Sequence, residues 1–108
     1  RANPNPTNTT LVVVATDAIL TKEETNKLAQ NGQNGLSLAI RPSHTTGDGD
    51  VVFALSTGKS KKDVDMRQLG VAASVAVSNA IIRGVLYAKS LGGLPSALDV
   101  NPQLRITK

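Results

Sequence analysis

Two continuous runs of apolar and β-branched residues stand out in the chain, at residues 11–16 and 51–56. Neither run alternates between apolar and polar positions, and this pattern is typical of strands that are buried on both faces of a sheet. They predict a first strand over residues 10–16 and a second over residues 51–56.

The segment after the first run carries the signals of a helix. Thr21 and Glu24 have the Thr-x-x-Glu spacing of a capping box, in which each side chain satisfies a free backbone N–H of the other residue. Pro42 is expected to end this helix. Gly32 and Gly35 interrupt its thin apolar stripe, so they either weaken the helix or permit close packing.

A longer helix is predicted from about residue 64 to residue 89, with Asp63 or Asp65 as its N-terminal cap. Its apolar residues occur nearly all round, which indicates a helix sandwiched between other elements rather than one on a surface. Residues 69–88 also approach the length of a membrane span. Asn79 and Arg83 interrupt that stretch, and because such groups are costly in lipid we predict a buried helix and no membrane partner.

The order strand, helix, strand, helix predicts layered α/β packing. Two strands do not make a stable sheet alone, so a partner chain is expected to complete it. Residues 1–8 contain two prolines and are predicted to be an extended linker. We therefore expect the chain to be a processed or C-terminal piece of something longer.

Composition narrows the classes of function. The 108 residues include no Cys, one His and two aromatic residues, with a net charge of +4. A chain without Cys has no disulfide framework, thiolate metal site or cysteine nucleophile, and so few aromatic residues disfavour base stacking. The lysines at 59, 61 and 62 are expected to form a solvated loop, with no nucleic acid as partner. No secretory signal is visible at the start, so a cytoplasmic location is expected.

The first candidate for chemistry is Asn8-Thr9-Thr10, where the linker meets the first strand. It matches a glycosylation sequon, and it also suits a plain strand entry because Thr favours β structure. The third interpretation is a self-cleaving N-terminal nucleophile. A Thr hydroxyl attacks the preceding carbonyl, the peptide becomes an ester, and water frees a new N-terminal Thr. Its α-amine, with a pKa of about 8, then serves as the base.

The second candidate is the pair Asp48 and Asp50, just before the second strand. Alternate residues of an extended segment share a face, so both carboxylates are able to point at one site. A solvated Gly-Asp turn and a metal site are the alternatives, and the metal has thin support because no His is suitably spaced. His44 is more typical of a hydrogen-bonded structural residue than of a catalytic base.

Several ordered motifs together resemble one known family. They are the Asn8-Thr9-Thr10 start, the run from Val12 to Asp17, Leu20 to Lys22, Ile40 to His44, Asp48 to Asp50, and Phe53 to Gly58. Over residues 8–91 the chain resembles the C-terminal part of the P1 (S58-type, DmpA-like) peptidases. These include D-stereospecific aminopeptidases, β-peptidyl aminopeptidases and nylon-oligomer hydrolases.

The resemblance implies a four-layer αββα sandwich, like that of the N-terminal-nucleophile hydrolases and the ornithine acetyltransferases. It also implies a precursor that cleaves itself into a large α chain and a small β chain. The nucleophile falls on Thr9 and the scissile bond on Asn8–Thr9, with Asp48 and Asp50 in support. Residues 1–8 then end the large-chain segment and residues 9–108 form the small subunit.

The function implied is amide hydrolysis through an acyl-enzyme, without metal or organic cofactor. The expected partners are the large chain, which supplies a Lys and an Asn of the site, further αβ units in a tetramer or larger assembly, and a small amide, peptide or 6-aminohexanoate-oligomer substrate. The Asn8-Thr9-Thr10 start slightly favours the nylon-oligomer branch. Three alternatives stay open: an acyl transferase like ornithine acetyltransferase, a D- or β-aminopeptidase without nylon-oligomer activity, and a non-catalytic interaction subunit.

Overall fold

The structure is a computed structural model and describes residues 9–40 and 49–104. Its elements, in chain order, are the strand β1 (Leu11–Thr16), the helix α1 (Lys22–Ala39), the strand β2 (Val51–Ser56), the helix α2 (Met66–Tyr87) and the short helix α3 (Ala97–Val100). The mixed α/β class predicted from the sequence is confirmed.

The two long helices begin where their capping residues predict. Thr21 accepts a hydrogen bond from the N–H of Glu24, and the Glu24 carboxylate accepts one from the N–H of Thr21, which completes the capping box. Asp65, rather than Asp63, caps α2 by accepting from the N–H of Arg67. Both helices are shorter than predicted, since α1 ends at Ala39 and α2 at Tyr87.

β1 and β2 pair in parallel, with Leu11 opposite Val51 and Thr16 opposite Ser56. Helix α1 makes the crossover between them, as parallel neighbours require. The even-numbered residues of both strands point at the helices, and Val52 is buried there. Val52, Leu36 and Val77 form the core where sheet and helices meet.

Close packing is the role of the glycines in α1. A methyl group added at Gly35 would clash with the backbone carbonyl of Ser74 in α2, and one at Gly32 would press on Val52 and Val14. At Gly35, α1 and α2 therefore approach each other so closely that only hydrogen fits, and at Gly32 the close approach is between α1 and the two strands. Of the two sequence-based alternatives for Gly32 and Gly35, close packing is the one observed.

The prediction that the strands are buried on both faces is met on only one face. The odd-numbered residues point away from the helices, and Leu11, Val13 and Phe53 are 72%, 65% and 59% exposed. No described residue covers this face. The continuous apolar run nevertheless gives this exposed face apolar side chains.

Helix α2 is likewise covered on one side, not sandwiched as predicted. Ala73 and Val77 are buried against α1 and the sheet, whereas Val75, Ile82 and Val85 are half exposed. By length and composition α2 is also the one described helix able to cross a membrane, and 17% of its most apolar stretch is buried. Asn79 and Arg83, the residues that argue against a span, are both exposed.

The short helix α3 was not predicted. Its cap is Ser96, whose hydroxyl accepts from the N–H of Asp99, so a Ser-x-x-Asp pattern was present in the sequence as a signal. Asp99 also accepts a hydrogen bond from Ser90, which ties α3 back to the segment after α2.

Candidate active site

The amino ends of the two strands lie side by side because the strands are parallel and in register. Leu11 pairs with Val51, so the residues just before them, Thr10 and Asp50, also lie next to each other. The structure therefore brings together the linker-to-strand junction and the Gly-Asp segment, which stand forty residues apart in the sequence.

Asp50 holds the backbone of Thr10 directly. The N–H of Thr10 donates to Oδ1 of Asp50 over 2.7 Å, and the carbonyl of Thr10 accepts from the N–H of Val51 over 3.0 Å. The amide that Asp50 binds is the peptide linking Thr9 to Thr10. A short bond to a carboxylate is a strong one, so this peptide is fixed in position and orientation.

Thr9 is exposed and Asp50 is half buried at this edge of the sheet. A hydroxyl-bearing residue at the start of a packed strand has a side chain that solvent reaches and a backbone that the strand holds in place. Such an arrangement suits a nucleophile, because a fixed nucleophile loses little orientational freedom on attack.

Of the other site residues predicted from the sequence, Asn8 and Asp48 lie outside the described residues. His44, which the sequence analysis interprets as a structural residue, also lies outside them. The structure places Thr9 and Asp50 at the same edge of the sheet. The catalytic roles of all these residues remain predictions.

A cavity of about 700 Å³ opens beside Thr10. Its walls are apolar and come from the first residues of β1, the end of α1 and the second half of α2, including Val12, Ile40, Ile81 and Val85. Sequence reasoning missed this feature. The signal available was length: at about 1.5 Å per residue α2 is far longer than a six-residue strand, so it must extend past the sheet.

The lysine cluster lies at the opposite end of the strands. The N–H of Ser60 and its hydroxyl both donate to the carbonyl of Asp17, and the N–H of Thr57 donates to the carbonyl of Thr16. Lys59, Lys61 and Lys62 are exposed on the loop that these bonds hold. The loop is therefore remote from Thr9 and is no part of this site.

Among the residues that the structure describes, no group of three or more His, Asp or Glu side chains is arranged to hold a metal ion. At the amino ends of the strands, the described residues bring together the exposed residue Thr9, a carboxylate that binds the peptide N–H following it, and an adjoining apolar cavity.

Comparison with known proteins identifies the wider group. The sequence model described as peptidase family S58 matches residues 1–97. A protein named uncharacterized aminopeptidase from Mycobacterium leprae (strain TN) is 38% identical over 108 residues, which cover 88% of this chain and 30% of that protein. A protein of the same description from Mycobacterium bovis is 36% identical over 110 residues, covering 90% and 32%.

The chain thus spans about a third of the length of these curated relatives. The resemblance predicted from the ordered motifs is confirmed.

Proposed function

The chain belongs to peptidase family S58, and from that premise we propose that it is the nucleophile-bearing part of an aminopeptidase-type amide hydrolase. The nucleophile is Thr9. The observation that carries the proposal is the bond from Thr10 N–H to the Asp50 carboxylate, because it fixes the peptide that follows Thr9.

The first reaction proposed is self-cleavage between Asn8 and Thr9. The Thr9 hydroxyl oxygen attacks the carbonyl carbon of Asn8, the C–N bond of that peptide breaks, and an ester forms on Thr9. Water then hydrolyses the ester, which leaves a carboxylate on Asn8 and a free amine on Thr9. In this scheme residues 1–8 end the large chain and residues 9–108 form the small one.

The second reaction uses the freed residue on a substrate amide. The Thr9 α-amine takes the proton of its own hydroxyl as the oxygen attacks the substrate carbonyl, and the amine product leaves an acyl-enzyme behind. Water releases the acid and restores Thr9. The chemistry requires no metal or organic cofactor, since nucleophile and base belong to one residue.

Asp50 is proposed as a positioning residue, and Asp48 is proposed to act with it. The Asp50 carboxylate orients the peptide after Thr9 and places a negative charge near the amine, which favours the protonated amine formed during attack. Replacing Asp50 therefore affects the chemical step more than substrate binding.

The remainder of the protein is proposed to be a large chain that completes a four-layer αββα sandwich. Leu11, Val13, Phe53 and Leu55 share the open face of the sheet and are between 44% and 72% exposed. An apolar face of this size is typical of a buried sheet-to-sheet interface. The large chain is also the proposed source of the oxyanion donors.

Small peptide amides are the proposed substrates, because the curated relatives are named aminopeptidases. The test uses the full-length protein that includes this chain and the same protein with Thr9→Ala. Purified wild-type protein is expected to show two masses that sum to the precursor plus water, and to hydrolyse amino-acid p-nitroanilides. The variant is expected to stay uncut and to lose activity by about 10³-fold or more.

Thr9→Ser is the matched control because it keeps the hydroxyl, so processing and activity should survive in part. Cleavage of the Thr9→Ala variant at the same bond would overturn Thr9 as the autolytic nucleophile.

Assays on 6-aminohexanoate oligomers test the nylon-oligomer branch. Loss of activity with EDTA, restored by added metal, would contradict the cofactor-free scheme.

A further inference from the structure

Thr9 and Leu11 belong to the same face of the sheet. Successive side chains of a strand point to opposite faces. The even-numbered residues of β1 face the helices, and Thr10 lines the cavity between the sheet and the helices, so the alternation continues upstream of the strand. It assigns the side chain of Thr9 to the opposite side, which is the open face of the sheet.

The apolar neighbours of Thr9 on that face are Leu11 and Val51. Leu11 comes two residues after Thr9, which is about 6.6 Å along an extended strand. Val51 is paired with Leu11 on the adjacent strand. Leu11 is the most exposed large apolar side chain of the two strands, at 72%. We call Leu11 and Val51 the amino-end corner of the open face.

A nucleophile at Thr9 requires that a substrate reaches this corner. The carbonyl carbon that is attacked has to come within about 3–3.5 Å of the Thr9 hydroxyl oxygen. The groups attached to that carbon then lie over the neighbours of Thr9 on the same face. A covering layer that closed over Leu11 and Val51 would occupy the space that the substrate needs.

We propose that Leu11 and Val51 are specificity-determining residues, which contact the side chain of the substrate residue whose carbonyl is attacked. That residue stays bonded to the Thr9 oxygen in the acyl-enzyme, so its side chain remains beside the corner. An apolar side chain gains free energy by covering Leu11, whereas a charged one loses hydration there. The preferred substrates are therefore peptide amides with an apolar N-terminal residue such as leucine.

The cavity beside Thr10 is a poorer site for this side chain. Its walls include Ile40, Ile81 and Val85, so it lies on the helix side of the sheet. A substrate held there would face the side chain of Thr10 and have the strand between its carbonyl and the Thr9 hydroxyl.

This inference rests on the proposed function and names the substrate side chain that the Thr9 site prefers. It is tested on full-length protein with the p-nitroanilides of leucine and alanine, which differ only in the acyl side chain. Leu11→Ala is expected to lower the ratio of kcat/KM for leucine over alanine by about tenfold or more, the size typical of a lost apolar contact. A ratio cancels any loss of folded enzyme, so a purely structural role of Leu11 would leave it unchanged.

Val13→Ala is the matched control. Val13 lies on the same strand and the same face and is 65% exposed, but it is about 13 Å from Thr9 along the strand. Its ratio should equal that of the wild type. An unchanged ratio in Leu11→Ala, or an equal fall in both variants, would overturn the inference.

Thiol labelling tests the open corner without catalysis. This chain contains no cysteine, so Leu11→Cys and Val13→Cys each add one thiol to it. In the full-length protein, N-ethylmaleimide should modify the thiol at position 11 at least about tenfold faster than the thiol at position 13, because a covered cysteine is inert. Peptide mass spectrometry measures both rates.

The two possible failures are distinguishable. If the wild-type protein hydrolyses neither p-nitroanilide, the proposed function is wrong. If the protein is active but the thiol of Leu11→Cys reacts as slowly as that of Val13→Cys, the large chain covers the corner and this inference alone is overturned.

Discussion

At the scale of single residues, the site depends on one hydrogen bond that no local pattern contains. Thr10 and Asp50 are forty positions apart, and the parallel register places one N–H within 2.7 Å of one carboxylate oxygen. The sequence offered both residues as candidates but in separate segments. Through this hydrogen bond, Asp50 holds the peptide that follows Thr9 in place.

Asp50→Asn in full-length protein is expected to lower kcat, or the rate of self-cleavage, by about 10²-fold, the size typical of an acid–base or orienting group. The amide oxygen still accepts a hydrogen bond, but the negative charge is lost. KM should change much less than kcat, because Asp50 positions the nucleophile and does not hold the substrate.

The matched control is Asp17→Asn, at the far end of β1. The Asp17 carboxylate is exposed, and it is the backbone carbonyl of Asp17 that accepts hydrogen bonds from Ser60. Its kinetics and melting temperature should be those of the wild type. If a double variant with Asp48→Asn and Asp50→Asn keeps near-normal turnover, the proposed role is wrong and both acids are solvated residues of a turn.

At the scale of elements, the contact between α1 and α2 is limited by glycine. Gly35 faces the carbonyl of Ser74, a backbone atom, whereas Gly70 faces the side chain of Asn31. A side chain is able to rotate away from an added methyl group, but a helix backbone moves only if the whole helix shifts. Gly70 is therefore expected to tolerate an added methyl group better than Gly35.

Gly35→Ala is expected to destabilise the full-length protein by about 2–3 kcal/mol, the upper part of the range for overpacking a close contact. Gly70→Ala is the matched control, and it should cost about 1 kcal/mol or less because Asn31 yields and alanine favours a helix. Urea unfolding of both variants measures the difference. If both substitutions lower the free energy of unfolding equally, α1 and α2 do not lie as close together at Ser74 as described above.

At the scale of the whole molecule, the described residues leave three apolar surfaces uncovered. These are the open face of the sheet, the walls of the cavity beside Thr10, and the outer side of α2. Only Leu28 and Leu36 are large side chains with full burial in the described part of the chain. Such a small core stabilises a domain weakly.

Residues 9–108 produced alone are therefore expected to aggregate or to remain unfolded. Size-exclusion chromatography and a two-dimensional amide NMR spectrum provide the measurement. The same segment made together with the preceding part of the precursor is the control, and it should be soluble and folded. A monomeric, well-dispersed spectrum from the isolated segment would contradict the partner-dependent fold.

The sequence by itself determined the order and type of the four main elements. Capping residues such as Thr21, Glu24 and Asp65 act within one turn of helix, and the strands at residues 11–16 and 51–56 are uninterrupted apolar runs, so local chemistry was sufficient. The ordered motifs were also enough to indicate the family, since their spacing is written in the chain.

Tertiary structure alone decided which residues meet and which surfaces stay open. Asp50 lies next to Thr10 because two strands pair in parallel, and the cavity forms where the first residues of β1, the end of α1 and the second half of α2 come together. An apolar run predicts that a strand is buried but not what buries it. Burial depends on contacts between segments far apart in sequence, and the described residues leave one face of the sheet without such contacts.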